Sequence, residues 1–182
     1  LAPLLQELLA AGGDDLRQAR RATLLALAFY LAEKNPAHLA PTGKWRPPRR
    51  VELTLAGRHD LAQHFVVSAA LAAWSDQPVA DAVGLYKELK DARSGSGFSF
   101  VDLTADRAGA RFGDLVNQTD PRIEPLLRRP LTDADLLPAI AGLPEFLHDR
   151  EFRRRFGDPD SPAYQAMATE VERRLQGLAW YP

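Results

Sequence analysis

Histidine and carboxylate side chains recur through the middle of this chain, and together they could carry out acid–base or metal chemistry. The set consists of His64, Glu88, Asp102 and Asp106. Imidazole and carboxylate groups act as general acids and bases in active sites. They also bind zinc, iron or manganese when several helices deliver them. We therefore expect one site in which Glu88 and Asp106 are catalytic and all four residues can bind a divalent metal; no other cofactor is expected.

Two serines are candidates for contacts with a substrate. Ser96 belongs to the Gly- and Ser-rich segment 93–98, where glycine permits unusual backbone angles and amide groups are exposed. Ser99 follows directly, and we expect both side chains to lie near the substrate. Ser99 also begins a Ser-x-x-Asp pattern, which is typical of a capping box at the start of a helix. Asp102 therefore has a structural interpretation beside its expected role as a ligand.

Three helices with stripes of small residues are predicted to hold these groups. They span 60–72, 80–91 and 102–113, and in each one a row at i, i+4 spacing joins small residues to polar ones. Glycine in a helix costs up to about 1 kcal/mol relative to alanine, so Gly84, Gly109 and Gly113 indicate close contacts between helices. If the three helices alternate in direction, the polar ends of the rows meet.

Each member of the set also has a purely structural interpretation. His64 is followed by the apolar run 65–67 and taken alone is typical of a hydrogen-bonded core histidine, with Asp60 one turn earlier able to orient its ring. Glu88 could pair with a neighbouring lysine. Asp106 lies too far into its helix to act as a cap, so it needs a partner if it is buried. The cations considered for that role are Arg58, Lys87 and Arg93.

The whole chain is predicted to form one mainly α-helical domain. Its 182 residues, of which 46% are hydrophobic, suffice for a single core, and the absence of cysteine excludes disulfides, Cys-bound zinc and thiol nucleophiles. We expect a multi-helix bundle around a buried central helix near 64–74, with at most a short strand at 51–55. The predicted order is N-terminal helices at 1–35, a proline-rich loop at 36–50, core helices at 57–117 and a C-terminal helical arm at 120–182.

Charge gives little information about partners. A net charge of −1 provides no overall field for nucleic acid, so nucleic acid is not the expected partner. The loop segment 44–50 contains four basic residues and one tryptophan and is a minor candidate for contact with an anionic polymer. The uncharged stretch 61–75 is too short for the roughly 20 residues that span a bilayer. Because the first residue is leucine, either a removed signal peptide or a chosen boundary is expected before it.

A family resemblance is carried by the same residues. His64 and Phe65, then Glu88, then the run from Ser99 to Asp106 followed by Gly109 and Gly113, resemble the pattern of VanZ-like proteins and related small bacterial envelope proteins. The resemblance covers about 59–113. It implies a bacterial protein of the periplasm or cell envelope, in which the four ionisable residues form one site.

Two functions of different classes follow. The first is an envelope-associated hydrolase with a His/carboxylate site between helices, assisted by a metal or by a pair of carboxylates. The second is a non-catalytic structural or interaction module, in which the same groups form a buried hydrogen-bond network that fixes the register of the helices.

Overall fold

The described part of the protein is built from α-helices. The computed structural model describes residues 1–11, 15–34, 49–74, 98–158 and 160–181. Eight helices occur in these ranges: α1 Ala2–Ala10, α2 Leu16–Leu31, α3 His59–Ala73, α4 Phe100–Gln118, α5 Ile123–Leu127, α6 Asp133–Leu136, α7 Asp149–Phe156 and α8 Pro162–Leu175. The predicted mainly α-helical fold is therefore confirmed. The predicted helix at 80–91 with Glu88, the serine Ser96 and the loop at 36–48 lie outside the described residues.

The starts of three helices are fixed by local side chains. Asp15 accepts a hydrogen bond from the backbone N–H of Gln18 at the start of α2, and Ser99 accepts one from the N–H of Asp102 at the start of α4. Ser161 caps α8 in the same way. These caps satisfy amide groups that have no partner inside the helix.

The centre of the fold is the contact between α3 and α4. Eight residues of α3 are buried, among them Phe65 and Ala69. Gly109 faces the backbone of Phe65, and Gly113 faces the backbone of Ala69 one turn later, so the two helices run in the same direction. A Cβ on Gly109 or Gly113 would lie 2.0 or 2.1 Å from the facing carbonyl oxygen, far inside van der Waals contact, so a larger residue does not fit at either position. The small-residue stripe on α4 thus allows direct contact between the backbones.

A buried arginine and a partly buried tryptophan hydrogen-bond the N-terminal helices to this centre. Arg20 on α2 donates to the carbonyl oxygen of Leu9 at 3.0 Å and to the carboxylate of Glu124 on α5 at 2.7 Å. Trp74, directly after α3, donates its indole N–H to the carbonyl oxygen of Arg21. These bonds join α1, α2, α3 and α5 at one end of the core.

An aromatic cluster packs α7 and α8 against the start of α4. Its members are Phe98, Phe100, Phe152, Phe156 and Tyr164. The closest pair, Phe98 and Phe152, has ring centroids 4.4 Å apart. Phe98 also exchanges two backbone hydrogen bonds with Leu147, which brings the segment before α7 beside the start of α4.

Segment 51–55 is not a strand. Leu55 and Arg58 form an isolated two-residue bridge around Ala56 and Gly57, both of which have positive φ, and no strand occurs among the described residues. The alternating pattern has no partner strand with which to form a ladder, so it remains extended chain. It leads directly into α3. None of the helices in the described ranges is long and apolar enough to cross a membrane.

Candidate functional site

His64 lies between two carboxylates at the N-terminal ends of α3 and α4. Its Nδ1 is 3.2 Å from Oδ1 of Asp106, and its Nε2 is 3.6 Å from Oδ2 of Asp102. The second distance is longer than a hydrogen bond. The three side chains are between 16% and 26% exposed, so the cluster is sheltered but open to solvent.

Ser68 supports the Asp106 end of this cluster. Its hydroxyl donates to Oδ1 of Asp106 at 2.8 Å, the same oxygen that faces Nδ1 of His64. Ser68 is one helical turn after His64 on α3, so both contacts reach across the α3–α4 interface to a single residue. A carboxylate held in this way fixes the ring orientation of the histidine and favours the tautomer with the proton on Nδ1.

Among the three residues of the cluster, Asp102 is the one with a buried oxygen, Oδ1, that lacks a hydrogen bond in the described part of the chain. Burial raises the pKa of Asp102, and the charge on Asp60 adds to this, while the charges of His64 and Arg58 act in the opposite direction. A larger fraction of this carboxyl is therefore protonated at a given pH than for an ordinary aspartate.

Arg58 lies on the Asp102 side of the cluster and binds the neighbouring carboxylates. Its guanidinium binds both carboxylate oxygens of Asp60, at 3.1 and 2.5 Å, and one oxygen of Glu145 at 2.6 Å. Hydrogen bonding to Arg58 lowers the pKa of Asp60. A further oxygen, Oδ1 of Asp102, lies 3.8 Å from the guanidinium. The ring of Phe146 lies against the same guanidinium, with its centroid 5.6 Å away.

The structure thus brings together His64, Asp102 and Asp106, three of the four predicted site residues. The neighbours of His64 and Asp102 differ from those expected. Asp60 does not orient the ring of His64, because its carboxylate is held by Arg58. Asp102 forms only half of the expected capping box: Ser99 accepts from its N–H, whereas its own carboxyl faces His64 and Arg58. Ser99 lies at the helix start, with its hydroxyl in use as the cap.

A metal would need ligands beyond this cluster. No group of three His, Cys, Asp or Glu residues in the described ranges is arranged to hold a metal ion. The reason is geometric: Asp106 and Asp102 lie at different nitrogens of the His64 ring, so one ion cannot bind all three side chains as they are placed. A metal site here would use His64 with one carboxylate and further ligands, and the predicted ligand Glu88 lies outside the described residues.

Sequence reasoning missed Glu145 and Phe146. Their neighbour Arg58 is 87 residues away in sequence from Glu145, so no local spacing connects them. Arg58 itself directly precedes a helix that carries Asp60 in its first turn, and that short Arg-x-Asp spacing was an available signal.

Comparison with family models, with curated proteins and with solved structures gives no match. The resemblance to VanZ-like proteins therefore stays a prediction, and the function is argued from the site alone.

Proposed function

We propose that this protein is a hydrolase whose acid–base residues are His64, Asp106 and Asp102. The observation that supports the proposal is the arrangement of the two ring nitrogens of His64. Nδ1 is within hydrogen-bond distance of Asp106, whereas Nε2 lies 3.6 Å from the carboxyl of Asp102, too far for a hydrogen bond. A histidine oriented by a carboxylate on one nitrogen and free to exchange a proton on the other is the usual arrangement of a general base.

The roles of the two carboxyl groups differ because their surroundings differ. Asp106 receives a hydrogen bond from Ser68 and faces Nδ1 of His64, so it holds the imidazole ring in its orientation. Asp102 has a raised pKa because it is buried, which favours its protonated form. Nε2 of His64 would take a proton from the attacking water, and Asp102 would give its proton to the leaving group. Proton exchange with solvent then restores both residues.

The test is an activity screen with variants of the cluster. Wild-type protein is assayed on chromogenic esters, phosphoesters and glycosides with divalent metal and with chelator, beside His64→Gln, Asp106→Asn and Glu88→Gln. The matched control is His148→Gln, because His148 is exposed at the start of α7. We expect hydrolysis of one substrate class, reduced by about a hundredfold or more in His64→Gln and unchanged in His148→Gln.

The outcomes distinguish a metal-assisted hydrolase from one that uses a pair of carboxylates. Loss of activity with chelator together with loss in Glu88→Gln favours the metal-assisted reaction, and insensitivity to chelator favours the carboxylate pair. Absence of hydrolysis on every class, or full activity in His64→Gln, overturns the proposal. In that case a lower melting temperature of Asp106→Asn favours the non-catalytic network, which fixes the packing of α3 on α4.

A further inference from the structure

Ser68 uses its hydroxyl differently from two threonines inside other helices. Thr104 in α4 and Thr169 in α8 each donate to the carbonyl oxygen four residues earlier in the same helix, at 2.7 and 2.8 Å. Such back-bonding is a common arrangement for a hydroxyl residue within a helix. Ser68 instead donates across to Oδ1 of Asp106 on α4, at 2.8 Å. Its hydroxyl therefore contributes to a contact between helices.

Two side chains of α3 meet the same oxygen of Asp106. His64 and Ser68 are four residues apart, so they lie on one face of the helix, one turn from each other. Nδ1 of His64 is 3.2 Å from Oδ1 of Asp106, and the hydroxyl of Ser68 donates to that same oxygen. Asp106 cannot turn this oxygen away from the ring without breaking its bond to Ser68. The orientation of the carboxylate towards His64 thus depends on Ser68.

The contact between α3 and α4 shelters these hydrogen bonds from water. Gly109, one turn after Asp106 on α4, meets the backbone of Phe65 with no room for a Cβ. The side chains of His64 and Asp106 are 16% and 26% exposed, and Ser68 is half-buried. In such a place water competes less well for the carboxylate than it does at an open surface. The bond from Ser68 therefore has more effect here than it would have on an exposed helix face.

We propose that Ser68 is a positioning residue of the acid–base site, which holds Asp106 where its carboxylate keeps the ring proton of His64 on Nδ1. The position of the proton on a neutral histidine is set by the hydrogen bonds of the ring nitrogens. With the proton on Nδ1, the lone pair lies on Nε2, which is 3.6 Å from Asp102 and makes no hydrogen bond to it. Transfer of the proton to Nε2 would leave the charge of the ring unchanged and would remove the base.

The first measurement locates the ring proton of His64 without any substrate. Nitrogen-15 NMR distinguishes the two neutral tautomers of histidine, because protonated and unprotonated ring nitrogens have well-separated chemical shifts. Spectra are taken in the pH range where this ring is neutral, for wild type, Ser68→Ala and Ser68→Thr, and His64→Gln assigns the signal. Thr104→Val is the matched control, because it removes a hydroxyl that donates within its own helix and keeps the shape of the side chain.

We expect the Nδ1–H form to exceed the Nε2–H form by about tenfold in wild type, which is the factor that one hydrogen bond supplies. Ser68→Ala should bring the two forms to near parity, about a tenfold fall in their ratio. Its melting temperature should stay close to that of wild type, because alanine favours the helix. Ser68→Thr, which retains the hydroxyl, and Thr104→Val should keep the wild-type ratio.

The second measurement uses whichever substrate class the activity screen identifies, and it rests on the proposed function because it takes Nε2 of His64 as the base. Ser68→Ala should lower kcat by about twofold or more with KM unchanged, since half of the rings then carry their proton on the wrong nitrogen. A less firmly held carboxylate adds to this loss. Ser68→Thr and Thr104→Val should have the kcat of wild type.

Three results overturn the inference: a wild-type ring with its proton mainly on Nε2, an unchanged tautomer ratio in Ser68→Ala, or an equal change in Thr104→Val. Failure of the proposed function is a separate result. A tautomer that depends on Ser68, in a protein that hydrolyses none of the substrates, supports the positioning role and contradicts the hydrolase. Hydrolysis that is lost in His64→Gln, with a tautomer that Ser68→Ala leaves unchanged, supports the hydrolase and contradicts the positioning role.

Discussion

Gly109 of α4 and Phe65 of α3 are in direct backbone contact. A Cβ built on Gly109 would lie 2.0 Å from the carbonyl oxygen of Phe65. The side chains that flank this contact, His64 on one helix and Asp106 on the other, therefore face each other across a short gap. The site depends on this close approach, since any separation of the helices would lengthen the contacts of His64 and Ser68 to Asp106.

Gly109→Ala should consequently destabilise the protein and disturb the cluster. The added methyl group meets backbone on α3, which cannot rotate away as a side chain can, so we expect a loss of at least about 2 kcal/mol in the free energy of unfolding. Urea unfolding measures this loss. Gly177→Ala is the milder control, because its added Cβ would meet one carbonyl oxygen at 3.2 Å, a tight contact that a shift of a few tenths of an ångström relieves. Equal stability of the two variants would contradict the packing described for α3 and α4.

The parts of the fold that the sequence predicts are those encoded by neighbouring residues. Ser99 followed by Asp102 predicts the start of α4. Either Asp14 or Asp15 is expected to cap α2, and Asp15 is the residue that does so. The amphipathic pattern from about 162 to about 175 predicts the last helix, α8. The glycine stripe predicts the close contact on α4, because glycine in a helix interior is costly without a packing reason.

The rest depends on contacts between residues far apart in sequence. The partners of Arg58 include Glu145, and the placement of Phe146 depends on the bridge between Phe98 and Leu147. Nothing local to 143–147 indicates that this segment meets the start of α3. The strand pattern at 51–55 fails for the converse reason: a strand needs a partner, and local alternation cannot supply one.

The pair Arg20–Glu124 should contribute more than the surface ion pairs do. Arg20 has a side chain only 4% exposed, so Glu124→Ala would leave a guanidinium buried with one carbonyl partner. Removing one member of a buried pair costs about 3–5 kcal/mol, and because Glu124 is 44% exposed we expect about 2 kcal/mol. Chemical denaturation of Glu124→Ala beside Glu151→Ala tests this. The latter breaks an exposed pair with Arg155 and should cost less than about 0.5 kcal/mol; similar losses in both variants would contradict the prediction.

Thr132→Ala should destabilise α6 and the turn before it. Thr132 and Asp135 form a reciprocal capping box, and the hydrogen bond from Arg129 lowers the pKa of Asp135 to about 2. Loss of a helix cap costs about 1 kcal/mol. Thermal unfolding should show a corresponding drop in melting temperature, and Thr169→Ala, which removes an exposed hydroxyl inside α8, is the matched control. A larger effect at Thr169 would mean that the box does not stabilise the helix.

As the pH rises, the free energy of unfolding of the wild-type protein should fall relative to that of the Asp102→Asn variant. Burial raises the pKa of this carboxyl above its ordinary value of 3.8, so the folded protein holds the proton more tightly than the unfolded chain does. The stabilisation from that proton is fully present below the ordinary pKa and is lost as the pH rises through the raised pKa. Asparagine has no proton to lose, and the other titrating groups are common to both proteins.

The measurement is the difference in unfolding free energy between wild type and Asp102→Asn, taken by urea titration at steps from about pH 3 to about pH 7. We expect this difference to shift in favour of the asparagine variant across the range, because ionised Asp102 has a buried oxygen without a hydrogen bond in the described part of the chain. A shift in favour of wild type would mean that Arg58 and His64 stabilise the ionised carboxyl by more than its burial costs. Asp102 would then remain ionised at neutral pH, and it could not supply the proton that the proposed reaction requires.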